Sequence, residues 1–585
     1  PALAGGQPWR WDRWAESGAA RWQGGTLAGV RSKLGYLKRL GVTALWLSPV
    51  FKQRGHLDSY HGYGVQDFLD VDPRFGTRAD LVALVAEAHQ NGLRVILDII
   101  FNHSGCNWVY PPGTPGDIWT PHYTAGRYDF GAWLGDHGQT VGAIAGADDG
   151  VWPRELQGSE CYTRAGSGSL GAGDIDDPLA EHKRSDFITL RDFKLDRALG
   201  DLARCYKYWI ALTDCDGFRI DTLKHVSLEE ARNFCGTIKE FASNLGKDDF
   251  FLVGEVAGGD FAEDRYLDVL ERNLNAALDI GEMRPTLNGV AKGLIPPRAY
   301  FDGFDPHAPG MGSHRNLGSR HVSIVDDHDH VFGQKLRFSS EAASAHQIAA
   351  AFAMQAFTLG IPCLYYGSEQ SLGGPEAGER FWLPEWKSSD RYLREAMFGP
   401  EHPRRGGRDS LLPTVDTDLP GFGPFGTAGR HCFDEQSAAF TRIAAINTVR
   451  AQFPCLRYGR QYLRPISFLG RAFDTYGPGE LIAWSRLLDD EELLCVVNGH
   501  GTESRGADIL VDAALNPVGS TLKVMLNTTQ AATQGAYTGS HAVGSSLPVL
   551  RTSDGMAYVQ VRHLPPAEVL VLANHPRADG GDLIP

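Results

Sequence analysis

No stretch of the 585-residue chain approaches 18 uninterrupted apolar residues, so nothing in it reads as a membrane-spanning helix. It also has no basic run. With 56 Lys and Arg against 71 Asp and Glu the formal charge is −15, which disfavours nucleic acid and polyanions as partners. The opening PALAGGQPWRWDRW has no basic segment leading into an apolar one, so no secretory signal is read there, and an initiator Met is missing. Nine cysteines, odd in number and irregularly spaced, include no CxxC pair and no Cys/His cluster. They read as reduced thiols rather than a disulfide framework or zinc site, which points to the cytoplasm. Glycine (69) and tryptophan (13) are plentiful; exposed Trp can stack on sugar rings, but it fills cores more often.

Short apolar runs alternate with helical periods in the first half. TALWLSPV (43–50) reads as a buried strand. A helix follows, opened by Thr77 with Asp80 as a capping box, with Leu81, Leu84, Val85 and Ala88 on one face and Gly92 as its stop. RVILDIIFNH (94–103), DGFRID (216–221) and DFFLVGEV (249–256) read as further strands, and SLEEARNFCGTIKEFASNLG (227–246) as a helix boxed by Ser227 and Glu230. HVSIVDDHD (321–329) and CLYYGSE (363–369) bracket an Ala-rich helix at about 340–358. Buried strands separated by amphipathic helices imply a parallel sheet covered on both faces, and the number of units favours a (β/α)8 TIM barrel.

The expected domains are a barrel from 1–103 and 191–456, an irregular domain at 104–190 inserted after the third strand, and a C-terminal antiparallel β-sandwich at 457–585. Residues 1–25 contain no convincing strand. Either the numbering begins inside a longer chain or the barrel's first strand is disguised.

Four acids sit at or just beyond predicted strand ends: Asp98, Asp221, Glu255 and Asp329. That edge of a barrel is where chemistry is assembled. Arg219 and Asp221 are i and i+2, so they leave one face of a strand, and the guanidinium can keep the carboxylate ionised as a nucleophile. A second carboxyl, protonated at rest, would act as acid and then base. Double displacement at a sugar carbon needs the two roughly 5–5.5 Å apart.

These segments resemble the α-amylase superfamily, glycoside hydrolase family 13, from about residue 24 to 370, and among its members those acting on cyclomaltodextrins and maltooligosaccharides. DIIFNH (98–103), GFRIDTLKH (217–225), GEV (254–256) and His328-Asp329 resemble its four signatures, in order. GVTALWLSPV (41–50), YHGYGVQDFLDVDPRFGT (60–77), LRDF (190–193) and GIPCLYYGSEQ (360–370) resemble its accessory segments. The resemblance implies Asp221 as nucleophile, Glu255 as acid/base and Asp329 as the carboxylate on the 2- and 3-hydroxyls. It implies Arg219 holding Asp221, His103 and His328 on the reacting sugar, Tyr63 stacked beneath it, Asp98 bracing the site, and Lys224 and His225 on the leaving-group side. A structural calcium, with Asn102, Asp192 and the His225 carbonyl as ligands, is also implied; the alternative is that Asn102 hydrogen-bonds to the insertion without metal. No organic cofactor is expected. An oligosaccharide is the expected partner, with no nucleic acid and no membrane, and a homodimer stays open.

Two positions depart from the family pattern: Asp327 stands where Asn is usual, adding a charge that could disturb hydroxyl contacts or raise a neighbour's pKa, and Gly64 stands where many relatives are larger. Thr222 and Lys224-His225 resemble members acting on α-1,4 bonds, which favours linear or cyclic maltooligosaccharides. The motif GSGSLG (166–171) follows no strand and reads as a loop, not a dinucleotide site. The sequons at Asn102 and Asn527 carry no weight without a secretory route. Trp9, Trp11, Trp14 and Trp22 read as core or contact residues at least as readily as distal sugar platforms, and His56 and His61 as loop residues as readily as substrate contacts. Two readings compete with a hydrolase: a transglycosylase using the same carboxylates, and a non-catalytic glucan-binding or scaffold protein, which predicts that a carboxylate has been lost.

Overall fold

A computed structural model describes residues 25–54, 61–171, 173–175, 177–256, 272–281, 283–304, 318–330, 337–372, 393, 394, 397, 433–533 and 537–575. The question of a first strand within residues 1–24 falls outside them, as do Trp9, Trp11, Trp14, Trp22 and His56. The chain divides into two compact units, residues 1–38 with 42–278 and residues 39–41 with 279–585.

The first unit is built on five parallel strands in chain order: β1 (Ala44–Leu47), β2 (Arg94–Ile99), β3 (Gly217–Ile220), β4 (Phe251–Gly254) and β5 (Ala276–Leu278). Helices α1 (Arg78–Gln90), α2 (Leu195–Thr213) and α3 (Leu228–Asn244) connect and cover them. Both expected capping boxes are formed, Thr77 with Asp80 and Ser227 with Glu230. The α1 stripe Leu81, Leu84, Val85 and Ala88 is fully buried. Each larger member contributes ~1.5–3 kcal/mol against exposure.

Residues 104–190 are irregular but packed. Three short antiparallel strands, Trp108–Val109, Ala132–Leu134 and Thr140–Val141, carry an aromatic cluster of Trp108, Tyr110, Phe130, Trp133 and Tyr162. The Arg191 guanidinium lies 5.0 Å from the Trp108 and Tyr110 rings and pairs with buried Asp186 at 3.1 Å. His103–Ser104 pairs with Arg191–Asp192, closing the segment at its base.

In the second unit β6 (His321–Ile324) runs parallel to β7 (Ile361–Cys363), with the wholly buried helix α4 (Gln347–Phe357) between them in sequence. These strands are shorter than the sequence implies, and α4 starts later. The Asp326 and Asp327 carboxylates take the N–H groups of Phe338, Asp329 and His330, so side chains compete with strand pairing just past Ile324. Past Cys363 the chain turns through Gly367 at φ 84. Beyond residue 457 the expected antiparallel strands are present. A six-stranded sheet contains β8 (Arg460–Leu463), β9 (Leu481–Leu488), β10 (Glu491–Asn498), β12 (Thr521–Asn527) and β14 (Val569–Ala573). A four-stranded sheet contains β11 (Arg505–Leu510) and β13 (Ala557–Leu564). Alternate residues of both sheets, among them Ala483, Leu494, Val496, Ile509, Val559 and Leu572, share one core.

All eight described cysteines are free thiols. Among the described residues no helix is long and apolar enough to cross a membrane.

Candidate active site

Parallel register builds the first unit's acidic centre. Arg219 on β3 lies opposite Asp98 on β2, and Ile220 lies opposite Gly254 on β4. Asp221 and Glu255 therefore leave their strands one step further on, with the Asp221 N–H on the Ile99 carbonyl and the Glu255 N–H on that of Ile220. Thr222 then turns the chain at φ 49, a left-handed conformation costing ~1–3 kcal/mol that only over-determined surroundings sustain. Its N–H donates to Glu255 Oε2 at 3.0 Å.

Arg219 is the hub. Its Nη1 donates to Asp98 Oδ1 at 2.9 Å and to Asp221 Oδ1 at 2.6 Å, while Nη2 pairs with Glu255 Oε2 at 2.8 Å. The guanidinium lies 5.2 Å from the Trp46 ring and 5.7 Å from that of Tyr63. Asp98 Oδ2 in turn accepts from Trp46 Nε1 at 3.0 Å and from the Tyr63 hydroxyl at 3.2 Å. All three acids and the arginine are buried.

One cation among three buried carboxyls cannot keep all three ionised, since like charges at this spacing disfavour one another. Burial pushes Glu255 up to about 7, with Arg219 opposing and the Asp221 charge adding to it. Burial pushes Asp98 up to about 6 against Arg219 and Trp46. Asp221 is also raised by burial, with Arg219 opposing. Burial works against the Arg219 charge, but Asp98, Glu255, Tyr63 and Asp221 hold the guanidinium well above its ordinary value. Burial thus raises all three carboxyls, and the one bonded most closely to Arg219 Nη1 is Asp221.

A second row of sequence-predicted residues flanks this centre. The ring of Phe187, from the inserted segment, stacks on His103 at 5.8 Å and meets His225 edge-on at 5.1 Å. His225 Nδ1 contacts the His182 carbonyl at 2.7 Å. Burial lowers both His103 and His225 to about 3, so both imidazoles are neutral. Lys224 is buried and donates to the Leu170 carbonyl at 3.0 Å. The ring of Tyr63 stacks on His61 at 5.8 Å.

Asn102 and Asp192 meet directly, the amide Nδ2 donating to Asp192 Oδ2 at 3.0 Å, while Oδ1 of Asp192 accepts the Phe187 N–H at 3.0 Å. These hydrogen bonds close the pair without a cation, and among the described residues no group of three or more His, Cys, Asp or Glu is arranged to hold a metal. Asn102, Asp192 and the His225 carbonyl remain the residues that would hold a calcium ion, and no step below passes through one.

In the second unit, Asp327, His328 and Asp329 lie in the turn past β6. Arg284 Nη1 donates to Asp327 Oδ2 at 2.6 Å, both side chains buried. Burial alone would raise Asp327, but Arg284, His330 and His328 outweigh it and hold the carboxyl well below the usual range. The added negative charge is thus already matched by a cation. Its charge still reaches its neighbours: it is among the causes that raise the buried Cys363 thiol, and it works to raise His330 against burial.

Reasoning from sequence did not find Trp46, Arg284 or the reach of Arg219 to Glu255. Trp46 carried a usable signal, because a Trp inside a buried strand needs an acceptor for its N–H. Arg284 carried none.

The profile described as the α-amylase catalytic domain matches residues 10–111. An α-amylase of Streptomyces lividans is 26% identical over 484 residues, 75% of this chain and 48% of that protein. A cyclomaltodextrin glucanotransferase of a Bacillus species is 25% identical over 382 residues, 63% of this chain and 46% of that protein. The chain thus spans about half the length of these curated relatives. It is similar to α-amylases and to a cyclomaltodextrin glucanotransferase, with the catalytic-domain match confined to residues 10–111. In the solved α-amylase of Geobacillus thermoleovorans, complexed with acarbose, the fold matches at TM-score 0.61 with 20% identity, covering 96% of this chain and 95% of that one. A cyclomaltodextrin glucanotransferase with a three-domain ABC distribution matches at TM-score 0.64 with 21% identity, covering 99% and 95%. The fold class is accordingly the (β/α)8 barrel with a C-terminal antiparallel domain.

Proposed function

We propose that this protein is a retaining glycoside hydrolase that cleaves α-1,4 bonds of linear or cyclic maltooligosaccharides through a β-glycosyl-enzyme. The observation that carries the reading is the division of labour around Arg219: one carboxylate held at 2.6 Å from the guanidinium, and a second carboxyl pushed up to about 7. A nucleophile and a resident acid are what double displacement requires.

Asp221 attacks the anomeric carbon as Glu255 gives its proton to the departing glycosidic oxygen. The C–O bond to the leaving sugar breaks and the ester to Asp221 forms. Glu255, now ionised, takes a proton from water, whose oxygen displaces Asp221 and regenerates both groups. Double displacement of this kind places the two carboxyls roughly 5–5.5 Å apart. Neutral His103 can then donate to a sugar hydroxyl without adding charge. Family resemblance assigns His328 and Asp329 to the sugar's hydroxyls. The glucan specificity rests on that resemblance and on relatives named as α-amylases and cyclomaltodextrin glucanotransferase. The transferase relative also supports the second reading, in which a sugar hydroxyl replaces water.

The test is a product time course on soluble starch, maltohexaose, cyclodextrins, pullulan, panose and a cyclic tetrasaccharide, with reducing ends counted. Growth of reducing ends with bond loss marks a hydrolase. Redistributed chain lengths or new rings without that growth mark a transferase. No reaction on any substrate overturns the proposal.

A further inference from the structure

We infer that Asp327 is a positioning residue for the His328–Asp329 pair, and that Arg284 is what makes an acid workable where the family usually has Asn. The inference rests on the reading above, in which Asp329 handles the sugar's hydroxyls.

Asp327 Oδ1 accepts the backbone N–H of Asp329 at 2.9 Å and also that of His330. It therefore clamps the two peptide groups that set the direction of the Asp329 side chain. The turn is held from two further sides. Arg394 Nε donates to the His328 carbonyl at 3.1 Å, and His330 sits at φ 46, a left-handed conformation that a non-glycine residue keeps only when its surroundings enforce it. An Asn could serve the same two N–H groups through its one acceptor oxygen, and its NH2 would then need an acceptor. Asp has two acceptors and no donor, so its second oxygen needs a donor instead. Arg284, the first residue of the helix Arg284–Ala291, supplies that donor at 2.6 Å. A buried ion pair is a weak source of net stability. What this one secures is the orientation of the first oxygen and, through it, the turn.

The inference predicts reciprocal coupling. In Asp327→Asn the new NH2 faces the Arg284 guanidinium, donor against donor. In Arg284→Gln a buried carboxylate loses its cation. In the double variant the two introduced side-chain amides can bond to each other, donor to acceptor. Wild type, both single variants, the double variant, Arg284→Lys and Asp329→Asn are compared in kcat and KM on maltohexaose, with thermal unfolding followed alongside. Displacement of a group acting in the transition state lowers kcat on the order of 10- to 100-fold. Each of Asp327→Asn and Arg284→Gln is expected to show such a loss with KM changed far less. The double variant should recover kcat above either single, and Arg284→Lys, which keeps a cation and is the variant most apt to fold, should lose less than Arg284→Gln. Normal kcat per folded enzyme in both singles, with only the melting temperature lowered, overturns the inference. So does a double variant whose kcat loss is the product of the single losses. Asp329→Asn separates the two levels: if that variant keeps near-native kcat, the role of Asp329 falls and the inference with it. If it is inactive while Asp327→Asn is normal, only the inference falls.

Discussion

Replacing Asp98 by Asn tests whether the Arg219 hub sets the charge state of Asp221, the proposed nucleophile. Asp98 and Asp221 oxygens bond the same guanidinium nitrogen, at 2.9 and 2.6 Å. Unit charges on the order of 5 Å apart interact by ~3 kcal/mol at an effective dielectric of ~20, and one pH unit corresponds to ~1.4 kcal/mol. The Asp98 charge is among the causes that raise Asp221. Removing it makes Asp221 easier to ionise and leaves Arg219 with two acids instead of three. Asp221 must be ionised to attack, so activity appears as pH rises through its pKa. The acid limb of kcat/KM should therefore move to lower pH, by up to about two units on this arithmetic. A second effect is separable. Trp46 Nε1 donates to Asp98 Oδ2, and an amide NH2 placed there strands a buried N–H, lowering stability by ~1–3 kcal/mol. The assay is kcat/KM against pH with a soluble maltooligosaccharide, corrected for folded fraction, beside urea unfolding. An acid limb that stays put or moves to higher pH would refute the charge argument, whatever happens to the plateau rate.

Other substitutions test separate links. Asp221→Asn is expected to abolish turnover while sugar binding, followed calorimetrically, stays largely intact; near-native rates in this variant would sink the assignment. Glu255→Gln should slow hydrolysis of ordinary oligosaccharides on the order of 10²–10⁴-fold, yet spare formation of the glycosyl-enzyme from fluoride or dinitrophenyl glycosides, seen as a burst; equal losses on both substrate types would count against the acid role. In the same variant the basic limb of the profile should disappear, because the group pushed up to about 7 no longer titrates. Ser227→Ala removes one half of the α3 capping box and should cost ~1 kcal/mol in urea unfolding with kcat unchanged.

What could be read ahead of the structure was whatever followed from a period. Asp98, Arg219 and Asp221 could be placed because residues two apart share a strand face, and parallel neighbours bring equivalent steps level, as Arg219 opposite Asp98 shows. The caps at Thr77 and Ser227 could be read because both partners lie within one turn of helix. The strand ends near Asp326 and Cys363 could not. There side-chain oxygens compete with the ladder for N–H groups, and that contest depends on where the Phe338 and His330 backbones come to lie. The irregular core of 104–190 was hidden for a related reason, since Trp108, Trp133 and Tyr162 pack by contact and not by spacing. Charge was the hardest property to carry across. The extra acid at Asp327 was visible, but whether it perturbs the turn or braces it depends on Arg284, 43 residues away in the chain. Glu255 was visible as an acid, but its raised pKa follows first from burial, with the Asp221 charge adding to it and Arg219 opposing. Residue identity supplies the charges. Burial and the partners within a few ångströms decide which of them persist, and the proposed division between attacking carboxylate and proton donor rests on that balance.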